Sequence, residues 1–189
     1  MINNIKEYIK KSSDTKIKIY EDENILVQIN NACENIIHAL KCGNKVLLAG
    51  NGGSANDSNH IAGEFVSGLY KARKALNALS LTSNNSIITA ISNDYGYEKV
   101  FSRQIEAIGN NGDVFIALTT SGNSGNIVEA LKTAQNMNVL TICMTGINNC
   151  KADNYSDILI KIPSDDTPII QESQMTIGHL ICKIIEENF

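Results

Sequence analysis

The chain has 189 residues, 43% of them hydrophobic, enough for one domain with a real core. Its net charge is −4 with no long basic cluster, which argues against nucleic acid as a partner, and no apolar run approaches the roughly 20 residues that cross a bilayer. The opening Met1-Ile2-Asn3-Asn4-Ile5-Lys6-Glu7 lacks a signal-peptide pattern, and Cys33, Cys42, Cys143, Cys150 and Cys182 form no Cys-x-x-Cys pair, so free thiols in a reducing cytoplasm are expected.

A polar N-terminal stretch comes first. Ile25, Ile29, Ala32, Cys33, Ile36, Ile37 and Leu40 then recur at helical spacing until Gly43. His38 lies in this helix with no reactive neighbours and reads as structural. Five short apolar runs predict strands over Lys45–Gly50, Leu76–Thr82, Asp113–Thr119, Val139–Met144 and Ile158–Ile162. They do not alternate, as expected for a parallel sheet covered on both faces. Helices are predicted over Ser54–Tyr70, Ser86–Asn93, Tyr97–Gly109 and Asn126–Asn136, with a last one from about Ile169 to Asn188. This alternation implies a single α/β domain over residues 1–189, a doubly wound parallel sheet with an N-terminal helical extension (about 1–43) and ligands at the C-terminal strand ends.

Two loops fall at such strand ends. Gly50-Asn51-Gly52-Gly53-Ser54 follows the first strand, and Thr119-Thr120-Ser121-Gly122-Asn123-Ser124 follows the third. Hydroxyls and unpaired helix-start N–H groups seat a phosphate well. The glycine loop, with Ser54 expected to cap the next helix, is neither a Walker A loop nor a dinucleotide fingerprint, so no nucleotide cofactor is expected. A plain strand-to-helix turn explains it equally well.

His60 and Glu64 stand four apart on one helical face, a spacing for proton transfer, for metal ligation or for a simple surface pair. In the last helix Ile177, Leu180, Ile181, Ile184 and Ile185 form an apolar stripe, while Gln171, Met175, His179 and Cys182 fall nearly opposite. That second face is too apolar for solvent and predicts a contact with another subunit. Asn93-Asp94-Tyr95-Gly96-Tyr97 reads either as a loop for sugar hydroxyls or as a turn capped by Asp94.

Taken together, the two loops, His60 with Glu64, Asn93-Asp94-Tyr95-Gly96 and Gln171-Glu172 with His179 resemble the phosphoheptose isomerase branch of the sugar-isomerase (SIS) domain family, over nearly the whole chain. The resemblance implies a three-layer sandwich with a five-stranded sheet in flavodoxin-like order. It also implies a cytoplasmic homotetramer with active sites at subunit contacts, acting on sedoheptulose 7-phosphate for lipopolysaccharide or capsule. Glu64 is similar to the family's general base and His179 to its acid. Thr119, Thr120, Ser121 and Ser124 would bind phosphate, and Asn51, Gly52, Gly53, Ser54, Asn93, Asp94 and Gln171 would line the sugar site. His60, Glu64, Gln171 and His179 resemble a zinc site, although a zinc-bound carboxylate is a weaker base.

Three positions depart from the family. Ser67-Gly68-Leu69 replaces a Gly-Arg, leaving Lys71 or Arg73 to supply the charge. Thr167-Pro168-Ile169-Ile170 precedes Gln171 where an Arg is usual, and Gln174 takes the place of a His. The same branch includes non-enzymatic scaffolds of the replication-initiator-associating type, and an isomerase acting on another sugar phosphate is a further alternative. The joint presence of His60, Glu64, Gln171 and His179 favours an enzyme.

Overall fold

The computed structural model describes all 189 residues. Two long helices lead, α1 (Ile2–Glu21) and α2 (Glu23–Lys41). Asp22 separates them, its carboxylate accepting the Asn24 and Ile25 N–H groups at 2.9 and 3.2 Å and so capping α2. The rest alternates: β1 (Val46–Gly50), α3 (Gly53–Ser67), β2 (Ala78–Ser80), α4 (Asn85–Tyr95), α5 (Ser102–Ile108), β3 (Val114–Leu118), α6 (Gly125–Asn136), β4 (Leu140–Gly146), β5 (Ile158–Ile162) and α7 (Thr167–Glu186).

All five strands are parallel, in the order β2-β1-β3-β4-β5. The expected doubly wound sheet is therefore present, in flavodoxin-like order. Strand residues alternate between two cores. Val46, Leu48, Ile116 and Leu118 join α2, α3 and α7 on one face, while Leu47, Ala49, Phe115 and Ala117 join α5 and α6 on the other. Strand order reverses between β1 and β3, the position where open α/β sheets bind ligands. The two Gly- and Ser-rich loops flank that point.

Several expected boundaries move for identifiable reasons. The predicted 76–82 strand shrinks to Ala78–Ser80 because β2 is an edge with one neighbour. The predicted 97–109 helix is two pieces, a 3₁₀ turn at Tyr97–Lys99 and then α5. Asn93, Asp94 and Tyr95 are the last turn of α4, not a loop, and α4 ends at Gly96 with φ of 87°. Asp94 caps nothing: Gly96 precedes the 3₁₀ turn with no side-chain cap, while Asn84 caps the start of α4, accepting the Ile87 N–H at 3.1 Å. No helix is long and apolar enough to cross a membrane.

Candidate active site

A polar cleft at the C-terminal ends of β1 and β3 is lined by Asn51, Ser54, Thr119, Thr120, Ser124 and Gln171. It encloses about 60 Å³, the scale of one small anion. Two helices start at it, α3 and α6, and their first-turn N–H groups supply positive ends. Ser54 is not the expected cap: α3 starts at Gly53, preceded by Gly52 with φ of 57°, so Ser54 is already in the first turn. Its carbonyl accepts the Ser58 hydroxyl at 2.8 Å, and its own hydroxyl lies 3.5 Å from Gln171 Nε2. Gly53 leaves room for that approach: a Cβ there would stand 2.7 Å from Gln171 Nε2 and displace the amide.

The hydroxyls of the second loop divide the work. Thr119 is buried and its Oγ1 accepts the Gly122 N–H at 3.1 Å, which commits it to the loop's own shape. Ser121 accepts the Asn123 N–H at 3.2 Å. Ser124 takes the cap position of α6 without a side-chain cap bond, leaving its hydroxyl for a ligand. Gln174 fixes the loop from behind: fully buried, its Nε2 donates to the carbonyls of Thr119 at 3.0 Å and Met144 at 2.9 Å.

Beside the cleft lies an amide network that the sequence reading missed. Asn51 and Asn126 exchange reciprocal hydrogen bonds of 2.8 and 2.9 Å, and the Tyr97 hydroxyl donates to Asn51 Oδ1 at 2.9 Å. Asn126 is buried directly after the second loop, a polar residue at a helix start that could have been singled out. Asn93 and Asp94 bond to each other at 2.7 Å. Asp94 faces a different cavity, of about 440 Å³, walled by Leu79, Ile87, Ile91, Tyr95 and Ile108. One protomer does not bring Asp94 to the phosphate cleft.

The second constellation forms where α3 and α7 run side by side. His60 Nε2 is 3.1 Å from Glu64 Oε1 and 3.3 Å from His179 Nε2, with the imidazoles edge to face at 70°. Ligand atoms of the three residues all lie within 4.8 Å of one another. One ring nitrogen carries a single hydrogen or a single lone pair, so His60 Nε2 cannot satisfy both neighbours well. Three donors crowd one point. Ligands around a tetrahedral zinc stand about 3.3 Å apart, given bonds of ~2.0–2.1 Å; the two separations from His60 match this and the third lies within 4.8 Å, so two imidazoles and a carboxylate could close on a divalent cation with one position open.

Gln171, expected as a fourth ligand, is placed elsewhere. It sits against Gly53 and Ser54, about 10 Å along α3 from His60 at 1.5 Å per residue. The expected subunit contact on the second face of α7 is made, at least in part, within the chain. Cys182 belongs to the core shared with α2 and α3, Gln171 meets α3 at Ser54, and His179 meets it at His60. Leu180, assigned to the apolar stripe, is 40% exposed. Burial pushes the Cys182 thiol up to about 12, with Glu64 adding to the shift. Asp57, one turn before His60 on α3, was also missed; burial raises its carboxyl above the usual 3.8 and His60 partly offsets this.

The SIS domain family model matches residues 7–146. The chain is 48% identical over 187 residues to the phosphoheptose isomerase of Clostridium acetobutylicum, spanning 99% of this chain and 95% of that protein. It is 48% identical to the phosphoheptose isomerase of Aneurinibacillus thermoaerophilus, spanning 97% and 92%. Among solved structures, a phosphoheptose isomerase from Francisella tularensis matches with a TM-score of 0.92 at 31% identity, over 99% of this chain and 98% of that one. The Neisseria gonorrhoeae phosphoheptose isomerase matches with a TM-score of 0.91 at 33% identity, over 98% of both chains.

Proposed function

The chain belongs to the SIS domain family and, within it, to the phosphoheptose isomerases, and from that membership we propose that it interconverts D-sedoheptulose 7-phosphate and D-glycero-D-manno-heptose 7-phosphate with Glu64 as base and His179 as acid. It is an aldose–ketose isomerase of heptose biosynthesis. The cleft between the starts of α3 and α6 seats the phosphate, with Ser54, Thr120, Ser121 and Ser124 supplying hydroxyls and Thr119 shaping the loop. Asn51, Gly52, Gly53, Asn93, Asp94 and Gln171 contact the sugar. Zinc is the cation that His60, Glu64 and His179 would hold, where it would polarise the C2 carbonyl.

The protein's own groups move the protons. A carboxylate takes a hydrogen from C1, the C1–H electrons form the C1=C2 double bond, and the C2 oxygen accepts a proton from an imidazole. The deprotonated imidazole takes the O1 proton as the aldehyde forms, and the carboxyl returns its proton to C2. No atom is lost or gained. The observation that carries this reading is the convergence of Glu64 and His179, 115 positions apart in the chain, beside His60.

The spacing along α3 favours a site shared with a second protomer. Ser54 and Glu64 are ten residues apart on α3, about 15 Å along its axis. The eight bonds from C1 to phosphorus, fully extended, reach roughly 10 Å at ~1.25 Å of advance per bond. In this reading a phosphate held in one protomer's cleft presents C1 to the trio of a neighbour. The family resemblance extends the reading to a cytoplasmic homotetramer with shared sites, whose product enters lipopolysaccharide or capsule.

The test is turnover of sedoheptulose 7-phosphate in D₂O followed by NMR, with and without added zinc. We expect deuterium at C2 of the aldose, and a loss of at least ~10²-fold in kcat for Glu64→Gln with ketose binding retained. Wild-type protein that binds the ketose and yields no aldose in either condition would falsify the enzyme assignment and favour a scaffold.

A further inference from the structure

The C-terminal end of α3 is held by a cluster outside both the phosphate cleft and the trio. The chain leaves the helix at Gly68, whose φ of +92° favours glycine and where a Cβ would stand 2.9 Å from the Lys71 carbonyl oxygen. Arg73 then returns beneath the helix end. Its Nη2 donates to the Glu64 carbonyl at 3.0 Å, and its Nη1 to the carbonyls of Phe65 at 2.8 Å and Lys74 at 3.0 Å. Orphan carbonyls at a helix end gain from such a cation.

Arg73 Nε lies 3.4 Å from Glu186 Oε1, and the two side chains are only 4% and 3% exposed. A carboxylate in the last turn of α7 opposes the helix dipole, so its burial there needs another cause. The Leu69 and Tyr70 N–H groups supply it, each donating to one Glu186 oxygen at 2.8 Å. Burial works against the charged form, yet these amides and Arg73 hold the carboxyl below its ordinary value. The cluster thereby joins the turn of α3 that bears Glu64 to α7, two turns beyond His179. Of the two residues that the sequence left to replace the family's Arg, Arg73 is the one that reaches Glu64, through its carbonyl.

We propose that Arg73 and Glu186 are positioning residues for the isomerase chemistry, a clasp that fixes Glu64 against α7 and so sets its distance from His179 and His60. The proposal rests on the roles assigned to Glu64 and His179 above. Cobalt(II) is titrated into wild type, Arg73→Ala, Arg73→Lys and Glu186→Gln and followed by its visible absorption, beside steady-state kinetics on the ketose. Arg73→Ala is expected to lose about 10- to 100-fold in kcat. Its KM should stay within about threefold, because the phosphate cleft lies at the other end of α3. Cobalt affinity should fall in parallel, and Arg73→Lys should recover part of both losses. Arg73→Ala combined with Glu186→Gln should be no worse than the poorer single variant, as expected for two members of one unit. Melting curves identify which variants are folded at assay temperature, and the near-isosteric Glu186→Gln serves if Arg73→Ala is not. Wild-type kcat and cobalt affinity in folded Arg73→Lys and Glu186→Gln would overturn the clasp. If wild type binds cobalt but does not isomerise, the assigned reaction fails, whereas weakened cobalt binding in Arg73→Ala still supports the clasp.

Discussion

Asp113 shows how much one buried carboxylate can organise. Its oxygens accept from Lys45 Nζ at 2.6 Å, the Lys45 N–H at 3.0 Å and the Asn110 N–H at 2.8 Å, which joins the starts of β1 and β3. Burial alone would raise its pKa, but Lys45 and these amides outweigh it and hold the value below the usual 3.8. A depressed carboxylate contributes stability that is fully present above its unfolded pKa and is lost as pH falls through the folded one. Asp113→Asn should therefore lower stability at neutral pH by about 1–3 kcal/mol, with a smaller difference from wild type below pH ~3. Urea titrations at the two pH values measure this; an equal difference at both would remove the ionic explanation. Single residues were only partly legible in the sequence. The hydroxyls and glycines of the two loops could be read because they are contiguous. The Asn51–Asn126 pair and the Gln174 contacts join positions remote along the chain, so no local pattern announces them.

The packing of α3 on α7 decides the geometry of the trio. Gly178 allows it: a Cβ there would lie 2.6 Å from Ile61 Cδ1 and 3.0 Å from Ile61 Cγ1. Gly178→Val should separate the helices, cost about 1–3 kcal/mol through overpacking, and lower kcat more than it raises KM. Thermal melts and kinetics check both, and a valine variant with wild-type activity would show that the close approach is dispensable. Gly178→Ala should do less, since the end of Ile61 can swing. The strands and most helices were legible because unbroken apolar runs and 3.6-residue periodicity are local signals. What α7 packs against was not, because a helical wheel reports how many faces are covered and not by what. Part of the second face, assigned to a neighbouring subunit, makes its contacts with α2 and α3 of the same chain.

For the molecule as a whole, the separation between phosphate cleft and trio bears on the proposed assembly. Further features point the same way: α1 exposes Ile2, Ile5, Tyr8, Ile9, Ile17 and Tyr20, and α4 buries no residue at all. Sedimentation velocity should give a stable oligomer, and mixing Glu64→Gln with a Ser124→Ala cleft variant should restore part of the activity that each lacks. A fully active monomer would refute shared sites. The fold class and strand order were legible from the alternation of elements together with the family resemblance, but neither states how far apart two loops end up in space. That distance emerges only once both residues stand on one rigid helix.

The burial of Cys182 has a chemical consequence of its own. A sulfur kept protonated and sealed from water is a poor nucleophile, and neither the trio nor the phosphate cleft contains another thiol. Electrophiles and peroxides therefore meet Cys42, the one cysteine fully open to solvent, at the far end of α2. Alkylation at Cys42 should leave turnover of the ketose unchanged, which mass spectrometry beside an activity assay would check.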